Sequence, residues 1–394
     1  MNKIKTKNID LAIVTNEPFP IGMAATNRII SYASIIANNK KVKVYITKPT
    51  EKINTQFNYN ASGEHKKIVY EYTSRRVIWP EEKSKLFKFK IIFYGYLNLI
   101  IALLKQKPKT IIIYTSNIST RLLLIILKPF LRYRLIIEEN EYPKVLKRTN
   151  NKVLLKINFL SYKKCDGMLV ITEELESYYK SMKSKDVHVL PMTVDTSRFK
   201  KMEGNVIETN YFIYVGGGGG FKRDGVFDIV KGFAIFQKNY PEYNLLLIGP
   251  YNPKDENIQA IIQFIDNNNL SGNITLTGPK STNEIPSYLS HAKGIIMAPP
   301  KNFVSGGFPT KLGEFLMSGT PVITTAVSDI PKYLNSSNSY IIKKNNPQGI
   351  AISMEKIIQD EVQADKIGLK GKETAFIHFN AETYLNDLMT FLKI

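Results

Sequence analysis

Phe303–Val322, FVSGGFPTKLGEFLMSGTPV, runs from a glycine-rich turn straight into a helical pattern with one carboxylate in its first turns. Gly306 and Gly307 let the backbone come close to a ligand. The amides that open the helix after Pro309 lack intrahelical acceptors and favour anions. Glu314 can accept two hydroxyl hydrogens of a ribose, and Phe308, Thr310 and Lys311 stand between the turn and that carboxylate. Together these residues suit a phosphorylated, hydroxylated ligand. They also read as an ordinary loop–helix junction, so their weight depends on the rest of the chain.

Outward from this segment, apolar runs of strand length alternate with longer helical patterns, as in parallel sheets covered by helices. The first half offers Ile9–Thr15, Lys41–Thr47, Thr110–Ser116, Arg134–Asn140 and Gly167–Thr172. The second offers Tyr211–Gly217, Tyr243–Gly249, Asn273–Gly278, Gly294–Pro300 and Pro321–Thr325. The α/β pattern occurs twice and predicts two doubly wound, Rossmann-like parallel-sheet domains. The polar stretch Leu190–Asn210 predicts their boundary, giving domains at 1–200 and 201–378 and an amphipathic C-terminal helix within 379–394. Ligands of such sheets bind beyond the carboxyl ends of the strands, so a cleft between the domains is the expected site.

A length of 394 residues fits two domains. A hydrophobic fraction of 43% with 22% charged residues is ordinary for a soluble globular protein. The single cysteine, Cys165, excludes an internal disulfide, and His65, His188, His291 and His378 lack zinc-ligand spacing, so no metal is expected. The N-terminal MNKIKTKNIDLAIVT has neither the apolar core nor the cleavage site of a secretory signal, which predicts a cytoplasmic location. The longest apolar run, Ile91–Leu104, is interrupted by Gly95 and Asn98 and is short for a bilayer span. A net charge of +20 implies an anionic partner: nucleic acid, an anionic membrane surface or phosphorylated substrates. A compositional bias toward lysine would raise the same number.

Three further segments carry candidate chemistry. Gly216–Gly220 is a run of five glycines after a strand, followed by Lys222 and Arg223 just before a helix. Amides at Gly217 and Gly218 together with the two cations can neutralise a diphosphate, although neither common phosphate-loop spacing is met. Near the start, the turn at Gly22 precedes Asn27 and Arg28, where small residues would admit a sugar or phosphate. Glu138, Glu139, Asn140 and Glu141 end a first-domain strand. Glu139 or Glu141 there could orient an acceptor hydroxyl or act as a base, and a solvated charge cluster is the alternative. Between Arg75 and Lys107, cations mix with Trp79, Phe87, Phe89, Phe93, Tyr94 and Tyr96. That composition suits a surface-seated membrane contact or a domain core.

With these segments in order, the chain resembles the family 4 retaining glycosyltransferases of GT-B fold, over nearly its whole length. The bacterial branch that builds capsule or other surface polysaccharides is the most similar. The resemblance rests on VHVLPMTVDTSRF, YVGGGGGFKRDG, LLLIGP, ITLTGPKSTNEIPSYLSHAKGIIMAPP and GGFPTKLGEFLMSGTPVITT. It implies a nucleotide-diphosphate sugar donor, UDP- or GDP-linked, bound by the second domain, and no cofactor. A glycan or lipid-linked acceptor would bind the first domain, transfer would retain the anomeric configuration, and the C-terminal helix would cross back. Glu314 matches the ribose-binding glutamate, and Lys222 and Arg223 match the diphosphate cations. Gly278 to Lys280 match the base contact, and Gly22 the N-terminal glycine loop. Acceptor contacts fall to Asn27, Arg28, Glu139 and Asn140.

Three positions depart from the pattern. Gly306 stands where a paired glutamate is common, eight residues before Glu314; Gly217 replaces an arginine; Asn140 or Glu141 stands for a histidine. The donor sugar therefore stays open, with Lys311 as a substitute charge. The chain has no D-x-D motif, which fits leaving-group stabilisation by cations and helix amides. The resemblance implies a front-side mechanism in which the departing phosphate takes the acceptor proton, so Glu141 would position rather than deprotonate. Rival readings are a sugar-nucleotide binder without turnover, an inverting transferase with Glu139 or Glu141 as base, and a nucleic-acid binder. The last lacks a reader motif, so no nucleic acid is expected. The inner face of the plasma membrane is the expected location if the basic, aromatic segment binds lipid.

Overall fold

The computed structural model describes residues 8–50, 58–81, 84–114, 118–143, 151–182, 186–199, 210–216, 220–300, 307–343 and 345–394, and of Lys222 the backbone alone. The chain divides into two compact units. One comprises Met1–Thr193 with Ser305–Gly307 and Ala381–Ile394; the other comprises Val194–Val304 with Phe308–Asn380.

The first unit is built on an eight-stranded sheet. Its strands are β1 (Leu11–Thr15), β2 (Val42–Ile46), β3 (Ser62–His65), β4 (Ile68–Tyr72), β5 (Thr110–Tyr114), β6 (Arg134–Glu139), β7 (Gly167–Val170) and β8 (Val187–Val189). Their order is β3-β4-β2-β1-β5-β6-β7-β8. The central strands β1, β2 and β5 are buried along their whole length. Helices cover both faces, which is why these strands read as continuous apolar runs. Ile13 lies opposite Val44 on one side and Ile112 on the other. The edge hairpin of β3 and β4 is antiparallel and had no expectation in the sequence, because its burial alternates and its turn is Lys66–Lys67 rather than a glycine pair. Both lysines hold positive φ, 48° and 64°, the conformation a tight hairpin requires.

The helix Lys85–Gln106 starts at Ser84, whose side chain accepts from the Phe87 amide, and seats Ile91, Gly95, Leu99 and Leu103 inside. Its 22 residues make it long and apolar enough to cross a membrane by length and composition. This corrects the expectation from Ile91–Leu104, because the helix extends past that run at both ends. The C-terminal helix Leu385–Leu392 also belongs to the first unit. Leu388, Phe391 and Leu392 enter its core beside Ile136 and Leu169, and Thr110 Oγ1 donates to the Leu392 carbonyl at 2.7 Å.

The second unit holds a six-stranded, wholly parallel sheet: β9 (Tyr211–Val215), β10 (Asn244–Ile248), β11 (Ile274–Gly278), β12 (Gly294–Met297), β13 (Val322–Thr325) and β14 (Tyr340–Ile342), ordered β11-β10-β9-β12-β13-β14. The core joins Phe212, Leu245, Leu247 and Ile296 to Ile229, Phe233 and Phe236 of the helix Val226–Gln237 and to Ile350 and Met354 of Pro347–Gln359. The division between units falls at Thr193/Val194, so Val194–Phe199 groups with the second unit rather than with a first domain ending at 200.

Candidate functional site

In the second unit, β9 leads through Gly216 to the short helix Gly220–Arg223, and the next helix begins after Gly225. Gly225 has φ of 72°, and a Cβ there would lie 1.9 Å from the Ala298 carbonyl oxygen. Only glycine fits this turn. The turn buries the preceding residue, Asp224, whose own carbonyl accepts from the Ala298 amide at 3.1 Å.

Asp224 organises the charges around it. Its Oδ2 accepts from Tyr214 Oη at 2.9 Å and from Lys311 Nζ at 2.5 Å, while its Oδ1 faces Arg223 Nε at 3.4 Å. Lys311 Nζ also lies 5.4 Å from the centre of the Tyr214 ring. Burial raises the Tyr214 phenol well above its usual range and the Asp224 charge adds to this, so Tyr214 serves as a neutral donor. Burial also lowers the Lys311 ammonium, and the attraction of Asp224 only partly offsets it. The cluster thus joins one buried carboxylate to two cations of unequal exposure.

One turn along the helix Leu312–Met317, Glu314 Oε1 accepts from Arg198 Nη1. Arg198 lies in the 3-10 turn Thr196–Phe199, and its Nη2 donates to the Thr282 carbonyl at 2.7 Å. Arg198 therefore ties the segment after β11 to the start of the Glu314 helix. At the end of β11, Gly278 has φ of 71° and open space where a Cβ would be, and Lys280 Nζ stands 5.7 Å from the Tyr288 ring centre. Arg223, Lys311, Gly278, Lys280 and Glu314 thus belong to one unit; Asp224 joins Arg223 to Lys311, and Arg198 holds Glu314. Neither linker was picked out in the sequence. A buried aspartate beside two cations reads as part of a charge run, and Arg198 lies 116 residues from its partner.

Several expected site residues are placed differently. Phe308 is buried, its ring 5.8 Å from that of Tyr333 and 5.6 Å from that of Phe379. It anchors the loop in the core rather than facing a ligand, and Pro309 beside it is also buried, while Thr310 is half-buried. Arg28 is buried in the first unit, with Nε donating to Glu138 Oε1 at 2.5 Å, Nη1 to the Pro191 carbonyl at 2.8 Å and Nη2 to the Leu190 carbonyl at 2.9 Å. Its planar donor set is directed into its own unit, so acceptor contact is replaced by a structural role. Glu139 is likewise buried and accepts from Tyr162 Oη at 3.0 Å.

Gly22 is small because a Cβ would meet Thr26 Oγ1 at 2.1 Å, where that hydroxyl donates to the Pro18 carbonyl at 2.6 Å. Asn27 is half-buried, with its amide donating to the Met23 carbonyl. Asn140 Nδ2 donates to Tyr114 Oη at 2.9 Å, and the Glu141 carbonyl accepts from Tyr179 Oη at 3.4 Å. Gly307 is buried. Gly217, Gly218, Gly306 and the Lys222 side chain lie outside the described residues.

Residues 196–374 match the family described as glycosyl transferases group 1. The match spans Arg198, Asp224, Lys311 and Glu314 alike. Solved structures of similar fold include sucrose-phosphate synthase from Thermosynechococcus elongatus, with a TM-score of 0.72, 15% identity and coverage of 97% of this chain and 98% of that one. Anabaena Alr3699/HepE in complex with UDP and glucose has a TM-score of 0.72 at 12% identity, covering 98% of this chain and 100% of that one. A glycosyltransferase from Rickettsia africae has a TM-score of 0.67 at 12% identity, covering 98% of each. No curated protein sequence matches. The fold is GT-B, and the group 1 match with these neighbours supports a glycosyltransferase.

Proposed function

We propose that the protein is a retaining glycosyltransferase that moves a sugar from a nucleotide-diphosphate sugar to a glycan or lipid-linked acceptor in bacterial surface polysaccharide synthesis. The observation that carries this reading is the Asp224 cluster within the matched region: Lys311 and Arg223 beside one carboxylate, with Glu314 held by Arg198 one helical turn away. Cations set for a diphosphate and a carboxylate set for ribose hydroxyls are the two recognition elements that a nucleotide-diphosphate sugar demands. HepE was solved with UDP-glucose, and UDP is the nucleotide we assign here.

Catalysis on this reading is stabilisation of the leaving diphosphate. Lys222, Arg223 and Lys311 supply positive charge to the departing oxygens, and Lys311, held by Asp224 and mostly shielded from water, stands where such a charge acts most strongly. The departing phosphate takes the acceptor proton, so no protein base acts. Neither a cofactor nor a metal takes part. The first unit binds the acceptor, with Asn27, Asn140 and Glu141 as contacts, and the enzyme works in the cytoplasm at the inner face of the membrane.

Melting-temperature shifts with UDP, GDP, CDP and ADP test the donor, since a ligand that binds only the folded state raises the transition. UDP alone is expected to shift it. Glu314→Ala and the Lys222→Ala/Arg223→Ala pair should each lower donor-dependent transfer more than tenfold while the fold persists. Wild-type rates in both would remove these residues from the site. Nucleotide shifts without any transfer would favour a sugar-nucleotide binder, the reading suggested by Gly306 in place of a carboxylate.

A further inference from the structure

Three helices of the first unit carry no Asp or Glu at all: Lys85–Gln106, Ile118–Leu131 and Lys152–Lys164. They connect β4 to β5, β5 to β6 and β6 to β7, successive parallel crossovers that step the same way across the sheet. Right-handed connections of that kind lie on one face. Side-chain bonds join them in that order. Tyr96 Oη meets Thr120 Oγ1 at 2.9 Å, and Arg121 Nη2 donates to Asn158 Oδ1 at 2.7 Å.

The outer side of this layer is apolar. On the first helix Ile91, Gly95, Leu99 and Leu103 form the buried stripe. Gly95 is drawn so close that a Cβ would sit 2.7 Å from the Thr47 carbonyl oxygen. The helix is thus seated on its sheet, and it turns Leu86, Phe89, Phe93, Leu97, Ile101 and Leu104 outward. Phe89 is 63% exposed, and Phe130 on the second helix is 78% exposed. The third adds Val153, Leu154, Ile157 and Leu160, all exposed. Exposed lysines border these side chains: Lys85, Lys90 and Lys105 on the first helix and Lys152, Lys156 and Lys163 on the third.

A single exposed leucine needs no explanation, but many exposed large apolar side chains spread over three joined helices mark an interaction surface. Its composition selects the partner. Aromatic and aliphatic side chains flanked by lysines, with no carboxylate on any of the three helices, are complementary to an anionic lipid surface. Apolar groups enter the acyl boundary while ammonium groups remain at the headgroups. We infer that this three-helix face docks the first unit on an anionic bilayer, lying on the membrane rather than spanning it. The inference deepens the transferase reading, on which it rests only for its purpose, that of bringing a lipid-linked acceptor within reach.

The test uses the full chain and vesicles of phosphatidylcholine alone or mixed with phosphatidylglycerol. Trp79, the only tryptophan, lies 5.8 Å from Lys88 Nζ, beside the start of the first helix, and reports approach through quenching by brominated lipid. Wild type should sediment with and be quenched by the mixed vesicles only, with binding that falls as salt rises. The Phe89→Ser/Phe93→Ser/Phe130→Ser variant should lose at least tenfold in binding, and Lys85→Gln/Lys90→Gln/Lys156→Gln should lose the preference for anionic lipid. Equal partition onto both vesicles, or none onto either, overturns the inference. So does a wild-type dimer that the Phe variant makes monomeric, since the occupant is then a second copy. UDP-induced melting shifts measured on each variant keep the two readings apart: a vesicle failure leaves the donor shift in place, and a donor failure leaves vesicle binding in place.

Discussion

Each unit closes one carboxylate against a guanidinium or ammonium near the end of a sheet strand, and the two clusters differ in what remains accessible. In the first unit Glu138 is held by Arg28 Nε and by Tyr32 Oη at 2.9 Å, with both charged side chains essentially out of contact with solvent. In the second, Asp224 is equally buried, but Lys311 keeps 18% of its side-chain surface and Arg223 keeps 52%. A guanidinium directed at a carboxylate and two backbone carbonyls of its own unit serves the fold. Cations that lean on a buried carboxylate while part of their surface faces outward keep surface that an anion could meet, which is the role proposed for them. Residue type alone does not separate these cases, since both are basic residues beside small residues near a strand end.

The largest effect expected from this difference is on stability. Arg28→Ala leaves Glu138 buried with a hydroxyl as its remaining charged-state partner and should cost about 3–5 kcal/mol in urea unfolding. Unaltered stability with collapsed acceptor use would return Arg28 to the acceptor site and erase the contrast. Lys311→Met should weaken UDP binding by about tenfold or more, near 1.4 kcal/mol, and should also destabilise by stranding Asp224. The double change Asp224→Asn/Lys311→Met separates the two roles. Stability should recover because no buried charge is left unpaired, while the affinity measured by calorimetry should not. Recovery of both would mean that Lys311 serves the fold as Arg28 does.

The strands were the most legible part of the chain. β1, β2, β5 and β9 are buried on both faces, so apolar side chains occupy nearly every position and the run itself marks the strand. Where one face stays wet the signal disappears, as in the β3–β4 hairpin with its lysine turn. At the candidate site, Glu314 and Lys311 stand out in the sequence because a glycine-rich stretch and a helix start frame them. Asp224 could not be separated from Lys222 and Arg223, because what distinguishes it is burial imposed by Gly225 and closure by Tyr214 and Lys311. Phe308 misled for the converse reason. It sits in the glycine-rich turn, yet its ring packs with Tyr333 and Phe379, far along the chain. The outer layer of Lys85–Gln106 was visible as composition, while its direction depended on the Gly95 stripe.

Smaller effects come from titration of the same cluster. Burial lowers Lys311 below the ordinary lysine value of 10.5. In the window between its folded value and 10.5 the unfolded chain holds a proton that the folded chain has lost, so this residue's contribution to stability rises with pH there. Its contribution to anion binding runs the other way, because the ammonium that would meet a diphosphate is lost as pH passes the lowered value. UDP affinity should therefore fall several-fold on the alkaline side before ordinary lysines titrate, and Lys311→Arg should flatten that fall. An unchanged slope in the arginine variant would assign it to another group.

The smallest effect belongs to the most exposed member of the cluster. Arg223→Gln removes a contact of 3.4 Å from a side chain that solvent already reaches, so unfolding free energy should move by less than about 0.5 kcal/mol. Asp224 keeps Tyr214 and Lys311, which is why this loss does not spread. UDP binding should still weaken by roughly two- to fivefold, consistent with one partly screened charge acting on a diphosphate, and the deficit should shrink as salt rises. Equal losses at low and high salt would mean that Arg223 acts through local geometry. A stability loss as large as that of Arg28→Ala would show that the second cluster is as closed as the first.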